Sequence, residues 1–292
     1  SRLRRIGVGA NSFCKSSPWR VLFDKPKFES HITVKGGSDV RTHAGITHPG
    51  IRPVNEDCFG IFPVGKAAYL YAVCDGVGGC TGGQTASSLA LSSFSNFILS
   101  ELDSSSVADP DALPLAQIKR IMRAAASHAS HTVRTAGLND PTLTDMASTL
   151  VAALVTATRA YVLHVGDSRL YTVTPDTVEK VTRDHSYLQY LIDVGRVTPR
   201  QAKELKIENY ITQAIGVYDY VDGDFCALDL STYPPDTYLL LCSDGLSNLI
   251  DDQEILFEVV HGVNKAHCCK RLLDIAKNRG APDNVTSVLV LV

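Results

Sequence analysis

Short runs of apolar residues, each bounded by Gly, Ser, Asp or Asn, recur through the chain and predict β-strands. Between groups of these runs, apolar residues spaced three and four positions apart predict helices. Helical pairs beside strand runs are typical of helices packed on a mostly antiparallel sheet core. The predicted strands are Ala67–Cys74, Ser148–Thr158, Ala160–Val173, Thr177–Val181, Val221–Leu230, Thr237–Cys242 and a final strand after Asn284; the predicted helices are Thr85–Leu99, Leu115–Val133, Gln253–Val260 and Lys265–Asn278.

One region departs from this pattern. The segment Asp184–Gly216 is richer in polar and charged residues and contains two helical fragments, Tyr187–Val194 and Pro199–Glu204. We interpret it as an insertion packed on the surface. Before it, two apolar runs are separated by Arg159 alone, which predicts an antiparallel hairpin.

The composition indicates a globular protein. The chain has 292 residues, 45% of them hydrophobic, which is enough for one large core or two modest ones. No uninterrupted apolar stretch approaches the roughly 20 residues that a membrane span needs. A net charge of -3 gives no reason to expect nucleic acid as a partner. We predict a monomer without a membrane span or a nucleic-acid partner.

The charge is unevenly distributed. Residues 1–37 carry a net charge of +6, which leaves -9 for the remainder. We therefore divide the chain into a basic N-terminal extension, 1–37, and one domain, 38–292. The Ser- and Arg-rich opening has the bias of an organelle-targeting peptide, and a surface arm would explain it equally well.

Eight cysteines raise the question of disulfides or zinc, but the chain contains no Cys-x-x-Cys pair. Several cysteines, including Cys74 and Cys242, lie in or beside apolar strand-like runs. We interpret them as small buried residues in a reducing compartment. This predicts an intracellular, cytoplasmic protein, with an organelle as the alternative that the basic extension leaves open.

Four aspartates mark the candidate chemistry: Asp75, Asp167, Asp244 and Asp283 each lie where an apolar run meets a Gly, Ser or Asn turn. A carboxylate at the end of a buried strand has lost much of its hydration, which is costly unless a cation or a hydrogen-bonding partner compensates. Oxygen ligands select hard cations such as Mg²⁺, Mn²⁺ or Ca²⁺ over zinc. Two such ions about 3.5–4 Å apart would activate water for hydrolysis of a phosphoryl group.

Two neighbouring features support this interpretation. Gly76 follows Asp75, and a glycine lets the backbone approach an ion and offer its carbonyl. Arg52 lies four residues before the paired acids Glu56 and Asp57. The arginine would bind a phosphate near the ions, and the acids would bind metal-held waters.

Eight motifs occur in order over about residues 40–292. They are RPVNED (52–57), VCDGVGG (73–79), MASTL (146–150), GDSRLY (166–171), TRDHS (182–186), NYITQAIG (209–216), LCSDGLSN (241–248) and APDNVTSVLV (281–290). These segments resemble the metal-dependent serine/threonine protein phosphatases of the protein phosphatase 2C family, and the bacterial-type branch in particular. This resemblance implies an α+β fold, a four-layer α-β-β-α sandwich with two central mostly antiparallel sheets flanked by helices.

The resemblance also implies roles at a centre of two Mg²⁺ or Mn²⁺ ions. Asp75 would bridge both ions, the Gly76 carbonyl would bind one of them, and Asp244 and Asp283 would complete the first site. Further roles follow: Glu56 and Asp57 would act on the second ion largely through water, Asp167 with Asp244 would form a third metal position, Arg52 would hold the substrate phosphate, and Asn284 would order the turn before the last strand.

The implied reaction is hydrolysis of phosphoserine and phosphothreonine in proteins, with phosphoproteins as partners and Asp184–Gly216 as the family's flap. The chain departs from the family pattern at three places. Val77 stands where eukaryotic members often have a candidate acid histidine, so protonation of the leaving group must come from water or another residue. His48 stands where relatives usually carry an acid, and its role is unassigned. Met146–Thr149 replaces the usual Gly-Thr-Thr, a change that we expect to be structural.

Other interpretations of the same residues remain open. Asp167 could form only a turn that pairs with Arg169, and Arg52 could pair only with Glu56 or Asp57. A histidine in the flap, His185, is expected to be structural. The whole chain could also be a pseudophosphatase, which keeps the fold as a binding module.

Two phosphate-binding patterns are rejected. Gly60–Ala67 nearly spells a P-loop but ends in Ala and precedes a strand. Cys14–Arg20 has the Cys-x5-Arg spacing of thiol phosphatases but lacks a preceding strand and a Gly-rich loop.

Overall fold

The structure is a computed structural model that describes residues 32–34, 42–78, 82–104, 109–204 and 210–292. Its strands are β1 (Ile32–Val34), β2 (His43–His48), β3 (Asp57–Val64), β4 (Ala68–Val77), β5 (Ala147–Ser148), β6 (Leu150–Val155), β7 (Arg159–Val165), β8 (Arg169–Val173), β9 (Val178–Lys180), β10 (Asp224–Asp229), β11 (Tyr238–Cys242) and β12 (Val285–Leu291). Its α-helices are α1 (Gly82–Ser104), α2 (Leu115–Asn139), α3 (Tyr187–Asp193), α4 (Pro199–Glu204), α5 (Asp244–Ser247), α6 (Asp252–Val260) and α7 (Lys265–Asn278). Short 3-10 turns occur at Pro110–Ala112, Pro141–Leu143 and Leu230–Thr232.

The strands form two sheets. The first has the order β1-β2-β12-β11-β8-β9, and the second has the order β10-β7-β6-β4-β3, with β5 paired to β4. The strand pairs within the described residues are antiparallel.

Three apolar layers hold the two sheets and the helices together. The inner faces of the sheets meet through side chains such as Tyr71, Val151 and Leu241. The outer face of the second sheet packs on α1 and α2, and that of the first sheet packs on α6 and α7. Strands alternate the face on which successive side chains lie, so strands such as β4 and β11 contribute to two layers. The four-layer α-β-β-α sandwich is therefore confirmed.

One predicted strand was wrong in a way that affects the site. The apolar run Ala160–Val173 is two strands in different sheets, because β7 ends at Val165 and β8 begins at Arg169. The chain changes sheets at Gly166, whose φ of +108° is disfavoured for residues with a side chain. The hairpin predicted around Arg159 is formed by β6 and β7.

The helices predicted from spacing are present, and α1 and α2 are longer than expected. The surface insertion contains α3 and α4, as predicted. Ile32–Val34, inside the segment assigned to the basic extension, pair with β2, and the division at residue 37 stays a prediction. Gly60–Ala67 forms the end of β3 and a turn, whereas Cys14–Arg20 lies outside the described residues.

Among the helices that the structure describes, none combines the length and the apolar character needed to cross a bilayer. The six cysteines within these residues are free thiols, and four of them, Cys74, Cys242, Cys268 and Cys269, are buried.

Side chains buried between the sheets should contribute strongly to stability. Leu241 is 0% exposed in this layer, so Leu241→Ala should lower the free energy of unfolding by about 2–5 kcal/mol. Leu138, on the surface of α2, is 73% exposed, and Leu138→Ala should change the free energy of unfolding by less than about 0.5 kcal/mol. Urea unfolding followed by circular dichroism measures both. Equal losses in the two variants would contradict the assignment of Leu241 to a packed core layer.

Candidate metal centre

The site begins with two aspartates that face each other across one strand pair. Asp57 opens β3, Asp75 lies near the end of β4, and the two are directly opposite in the antiparallel register. Residues opposite each other on antiparallel strands share a face. Tyr71 and Val73 of the same face of β4 pack against the other sheet, so both carboxyls lie where the two sheets meet.

Asp57 joins the two sheets through hydrogen bonds. Its Oδ2 accepts from Ser243 Oγ (2.7 Å) and from Thr286 Oγ1 (2.7 Å). Ser243 follows β11 and Thr286 lies in β12, so both donors belong to the opposite sheet. The Asp57 carboxyl is therefore fixed from the side opposite its own strand.

Neighbouring backbone holds Asp75 and Gly76. The Asp75 amide donates to Thr149 Oγ1 (2.9 Å), and the Asp75 carbonyl accepts from the Thr149 amide (2.8 Å) and from Ser148 Oγ (3.1 Å). These contacts agree with the expectation that Met146–Thr149 has a structural role. A Cβ on Gly76 would lie 1.9 Å from the Gly83 carbonyl oxygen, so the close approach of α1 requires glycine here.

Asp244 and Asp283 come from the first sheet. Asp244 begins the short helix α5, and Asp283 immediately precedes Asn284 and β12. The Asp244 and Asp75 carboxyls lie close enough to act on each other's pKa, and Asp244 Oδ2 accepts from Asn248 Nδ2 (3.1 Å). Asp283 Oδ1 accepts from the amide of Asn284 (2.9 Å).

Asp167 lies at the point where the chain changes sheets. Asp167 is buried and directly follows Gly166 in the chain. Arg169 does not form the predicted ion pair with it, because its guanidinium donates to both carboxylate oxygens of Asp184 (2.7–3.1 Å). The Arg169 charge still acts on Asp167 and opposes the rise in its pKa that burial causes, but the hydrogen-bonding partner of the guanidinium is Asp184.

Burial and mutual repulsion perturb four of these carboxyls. Burial, followed by the charges of Asp57 and Asp244, raises the pKa of Asp75 well above its ordinary value. Burial raises the pKa of Asp57 to about 7 against the opposing hydrogen bonds from the two hydroxyls. Burial, and then the charge of Asp244, raises the pKa of Asp167 to about 7. Burial and the charge of Asp283 raise the pKa of Asp244.

Glu56 and Asn284 connect the acidic cluster to the loop that precedes β3. The Asn284 side-chain oxygen accepts from the Glu56 amide (2.7 Å), and its Nδ2 donates to the carbonyls of Pro49 (2.9 Å) and Val54 (3.0 Å). Asn284 thus joins the start of β12, next to Asp283, to the loop that precedes β3.

Arg52 lies at the exposed rim of the cluster. Its Nη2 donates to Asp283 Oδ2 (3.0 Å) and its Nε donates to the Pro282 carbonyl (3.0 Å). The pairing with Glu56 or Asp57 that the sequence left open is wrong, because Asp283 is the acid that approaches the guanidinium. The contact places a phosphate-binding candidate beside a metal-ligand candidate.

The donor set fits divalent cations. Glu56 Oε1 and Asp57 Oδ1 are buried and have no hydrogen-bond partner within the described part of the chain. Buried polar atoms are normally satisfied, so such atoms require an explanation. Oxygens of carboxylates and a free backbone carbonyl are the ligands that Mg²⁺ and Mn²⁺ prefer.

Sequence reasoning missed the residues that support the cluster. Ser243, Thr286 and Thr149 are fully buried and bond directly to Asp57 or Asp75. Ser243 precedes Asp244 at a helix start, a position that favours serine as a cap. Its hydroxyl instead bonds across the sheets, which no local pattern reveals.

Comparisons with known proteins agree with this geometry. Residues 45–274 match the family model described as protein phosphatase 2C. The chain is 32% identical over 239 residues to the serine/threonine protein phosphatase PstP of Mycobacterium tuberculosis, covering 82% of this chain and 42% of PstP. It is 35% identical over 145 residues to the protein phosphatase PhpP of Streptococcus pneumoniae, covering 50% of this chain and 58% of PhpP. The chain thus spans about half the length of these curated relatives.

Solved structures show the same architecture. The phosphatase Stp1 of Staphylococcus aureus superposes with a TM-score of 0.77 at 27% identity, covering 89% of this chain and 99% of Stp1. The catalytic domain of PstP in complex with two manganese ions superposes with a TM-score of 0.70 at 28% identity, covering 86% of this chain and 98% of that domain. With this fold and a matching family model over most of its length, the chain belongs to the protein phosphatase 2C family.

Proposed function

We propose that this chain hydrolyses phosphoserine and phosphothreonine in proteins, using water activated at a binuclear Mg²⁺ or Mn²⁺ centre. The observation that carries the proposal is the meeting of five aspartates from separate segments at the junction of the two sheets, with burial and mutual repulsion raising four of their pKa values. Family membership and the manganese-bound relative support the same assignment.

Particular residues would hold the ions. Asp75, the Gly76 carbonyl, Asp244 and Asp283 would be the direct ligands. Glu56 and Asp57 would act mainly through bound water, and Asp167 with Asp244 would serve a third position. When bound, paired divalent ions lower the pKa of water between them and neutralise charge on a phosphoryl group.

The protein's own side chains would bind and orient the substrate. Arg52 is exposed, and its Nη1 makes no hydrogen bond to another residue that the structure describes. A guanidinium with free donors binds phosphate oxygens well. Val77 is also exposed and has no ionisable proton, so water or another residue would protonate the leaving alkoxide.

Further properties belong to the proposal. The phosphatase domain would extend from residue 38 to 292, act as a monomer and work in the cytoplasm. Because the chain spans less than two thirds of its curated relatives, the activity of the whole protein is included in the proposal.

Metal removal tests the proposal directly. Chelation should abolish hydrolysis of p-nitrophenyl phosphate and of a phosphothreonine peptide, and added Mn²⁺ should restore both. Asp75→Asn and Asp244→Asn should lower kcat/KM by more than about 100-fold, without rescue by excess Mn²⁺, since each removes a charge that organises the centre. Asp274→Asn, on α7 beside Lys270 (3.2 Å) and outside the acidic cluster, is the matched control.

Two outcomes would count against the enzyme. Full activity after exhaustive metal removal would exclude this mechanism. Calorimetric binding of Mn²⁺ with no hydrolysis of any phosphopeptide would favour the pseudophosphatase.

The raised pKa values predict an unusual dependence of stability on pH. Aspartates in the unfolded chain titrate near pH 4, whereas Asp57 and Asp167 keep their protons to a pKa of about 7 in the folded protein. The folded state therefore binds more protons between about pH 4 and 7, and its stability rises as the pH falls through this range. Chelator-treated protein should have a higher Tm at pH 5.5 than at pH 8, measured by differential scanning calorimetry.

Mn²⁺ should raise the Tm most at pH 8, because it replaces the protons that the cluster has lost. Asp57→Asn should weaken the pH dependence, since an amide does not titrate. A Tm that increases with pH in the chelated protein would contradict the proposed electrostatics.

Arg52 should act on substrate binding. Arg52→Ala should weaken binding of a phosphothreonine peptide by about 10- to 100-fold, the value of losing a charge-assisted hydrogen bond of about 1.5–3 kcal/mol. Arg52→Lys should recover only part of the loss, because an ammonium cannot form the bidentate contact. Steady-state kinetics with saturating Mn²⁺ measures this, and an unchanged KM in both variants would remove Arg52 from the site.

A further inference from the structure

We propose that His185, held by Asp224, is a positioning residue that fixes the Gly166–Asp167 turn and thereby the Asp167 carboxyl. This inference rests on the proposed function, because it assigns a supporting partner to the third metal position. It concerns a hydrogen-bonded cluster beside the turn, formed by residues that the proposed mechanism does not use.

His185 contacts the turn through both its ring and its backbone amide. His185 Nδ1 accepts a hydrogen bond from the Gly166 amide (3.1 Å), and the His185 amide donates to the Gly166 carbonyl (2.7 Å). Both peptide groups of Gly166 are therefore bonded to one residue of the flap. Asp167 is the next residue, so its backbone position depends on these two bonds.

Contacts at both ring nitrogens define the orientation of the His185 imidazole. A nitrogen that accepts a hydrogen bond from an amide presents its lone pair, so the proton of neutral His185 lies on Nε2. Nε2 is 3.2 Å from Asp224 Oδ2, to which it donates. The carboxylate thus selects the tautomer that leaves Nδ1 free to accept from Gly166, a use of acids beside histidine known from other sites.

A second histidine, His164, packs against the His185 ring. His164 lies directly opposite Asp224 in the β7–β10 pair, and its ring centroid is 4.8 Å from that of His185. Burial lowers the pKa of His164 to about 4, so this ring is neutral. The His164 ring packs against the His185 ring. The Asp224 side chain, in contrast, is 62% exposed to solvent.

These three side chains also have the composition of a zinc site, with candidate ligand atoms within 4.8 Å of one another. A neutral imidazole has a single lone pair, and in His185 that lone pair faces the Gly166 amide. Ligation through Nε2 would place an N–H on Nδ1, opposite another N–H. The geometry therefore favours a hydrogen-bonded chain from Asp224 through His185 to Gly166 over a metal site.

The turn needs such support. Gly166 has a φ of +108°, and glycine loses more conformational freedom on ordering than any other residue. Asp167 is buried, and the like charges of Asp244 and Asp184 disfavour its charged form. Bonds to both peptide groups of Gly166 fix the backbone from which this carboxyl extends.

Two isosteric substitutions separate the two hydrogen bonds of the imidazole. The oxygen of Asn stands about where Nδ1 does, so His185→Asn keeps an acceptor for the Gly166 amide and loses the bond to Asp224. The amide of Gln stands about where Nε2 does, so His185→Gln keeps the donor to Asp224 and loses the acceptor. His185→Gln should therefore be the more damaging change, because it removes the acceptor for the Gly166 amide.

The first measurement uses chelated protein and involves no catalysis. Amide hydrogen exchange, followed by NMR, should show faster exchange at Gly166 in His185→Gln than in His185→Asn or the wild type. In calorimetric titration with Mn²⁺, His185→Gln should weaken the weakest binding step by about 10- to 100-fold, the usual effect of losing a supporting contact. The tighter steps should be unchanged.

Asp167→Asn provides the benchmark. Combined with His185→Gln, it should add no further loss to the weakest Mn²⁺ step, because both changes act on the same ligand. The control is His131→Gln. His131 lies on α2, outside the cluster, and pairs with Asp219 (3.2 Å). This variant should leave Mn²⁺ titrations and Gly166 exchange as in the wild type.

The outcomes separate this inference from the proposed function. If wild-type protein neither binds Mn²⁺ nor hydrolyses phosphopeptides, the proposed function fails. If it does both, while His185→Gln and His185→Asn bind Mn²⁺ alike and differ from wild type only in Tm, the positioning role is overturned. Additive losses in the double variant would overturn it as well.

Discussion

Repulsion among acidic side chains is the constraint on which the rest of this structure depends. Five aspartates lie at the junction of the two sheets, and burial raises the cost of the negative charge on four of them, Asp57, Asp75, Asp167 and Asp244. Such a cluster persists only where surrounding groups fix it and where cations or protons balance it. The hydroxyls of Ser243 and Thr286, the backbone around Thr149 and the side chain of Asn284 provide the fixing contacts.

The four-layer architecture explains why the acids meet. Asp57 and Asp75 belong to one sheet, whereas Asp244 and Asp283 belong to loops of the other. The hydrophobic layer between the sheets sets the separation of the two groups, and the bonds of Asp57 to the opposite sheet define their relative position. Asp167 arrives by a third route, where the chain crosses from one sheet to the other.

The sequence predicted much of this arrangement, because its signals are local. Apolar runs followed by Asp and a small residue identified the strand ends, and spacing identified α1, α2, α6 and α7. The crossing at Gly166 was missed, since an unbroken apolar run contains no sign that its two halves join different sheets. Pairings such as Arg52 with Asp283 and Arg169 with Asp184 were missed for a similar reason, because each depends on packing between distant segments.

The hydroxyls that hold Asp57 show the same limit. Serine and threonine are common at strand ends, and only the three-dimensional contact distinguishes Ser243 and Thr286 from others. Family membership supplied the expected ligands, while their supporting contacts became visible only in the folded chain. The chain's own departures, such as Val77 in an exposed position, change what surrounds the centre and leave its acids in place.

The seam between the sheets has an evolutionary consequence. Because the proposed ligands are carried by separate sheets, the width of the cleft is set by Leu, Val and Ala side chains of the inter-sheet layer, which lie outside the acidic cluster. Exchanging these residues for larger or smaller ones would adjust cation preference while every acidic residue stays the same. Divergence in metal usage among such enzymes can therefore begin deep in the interior, at positions that an inventory of ligands would overlook.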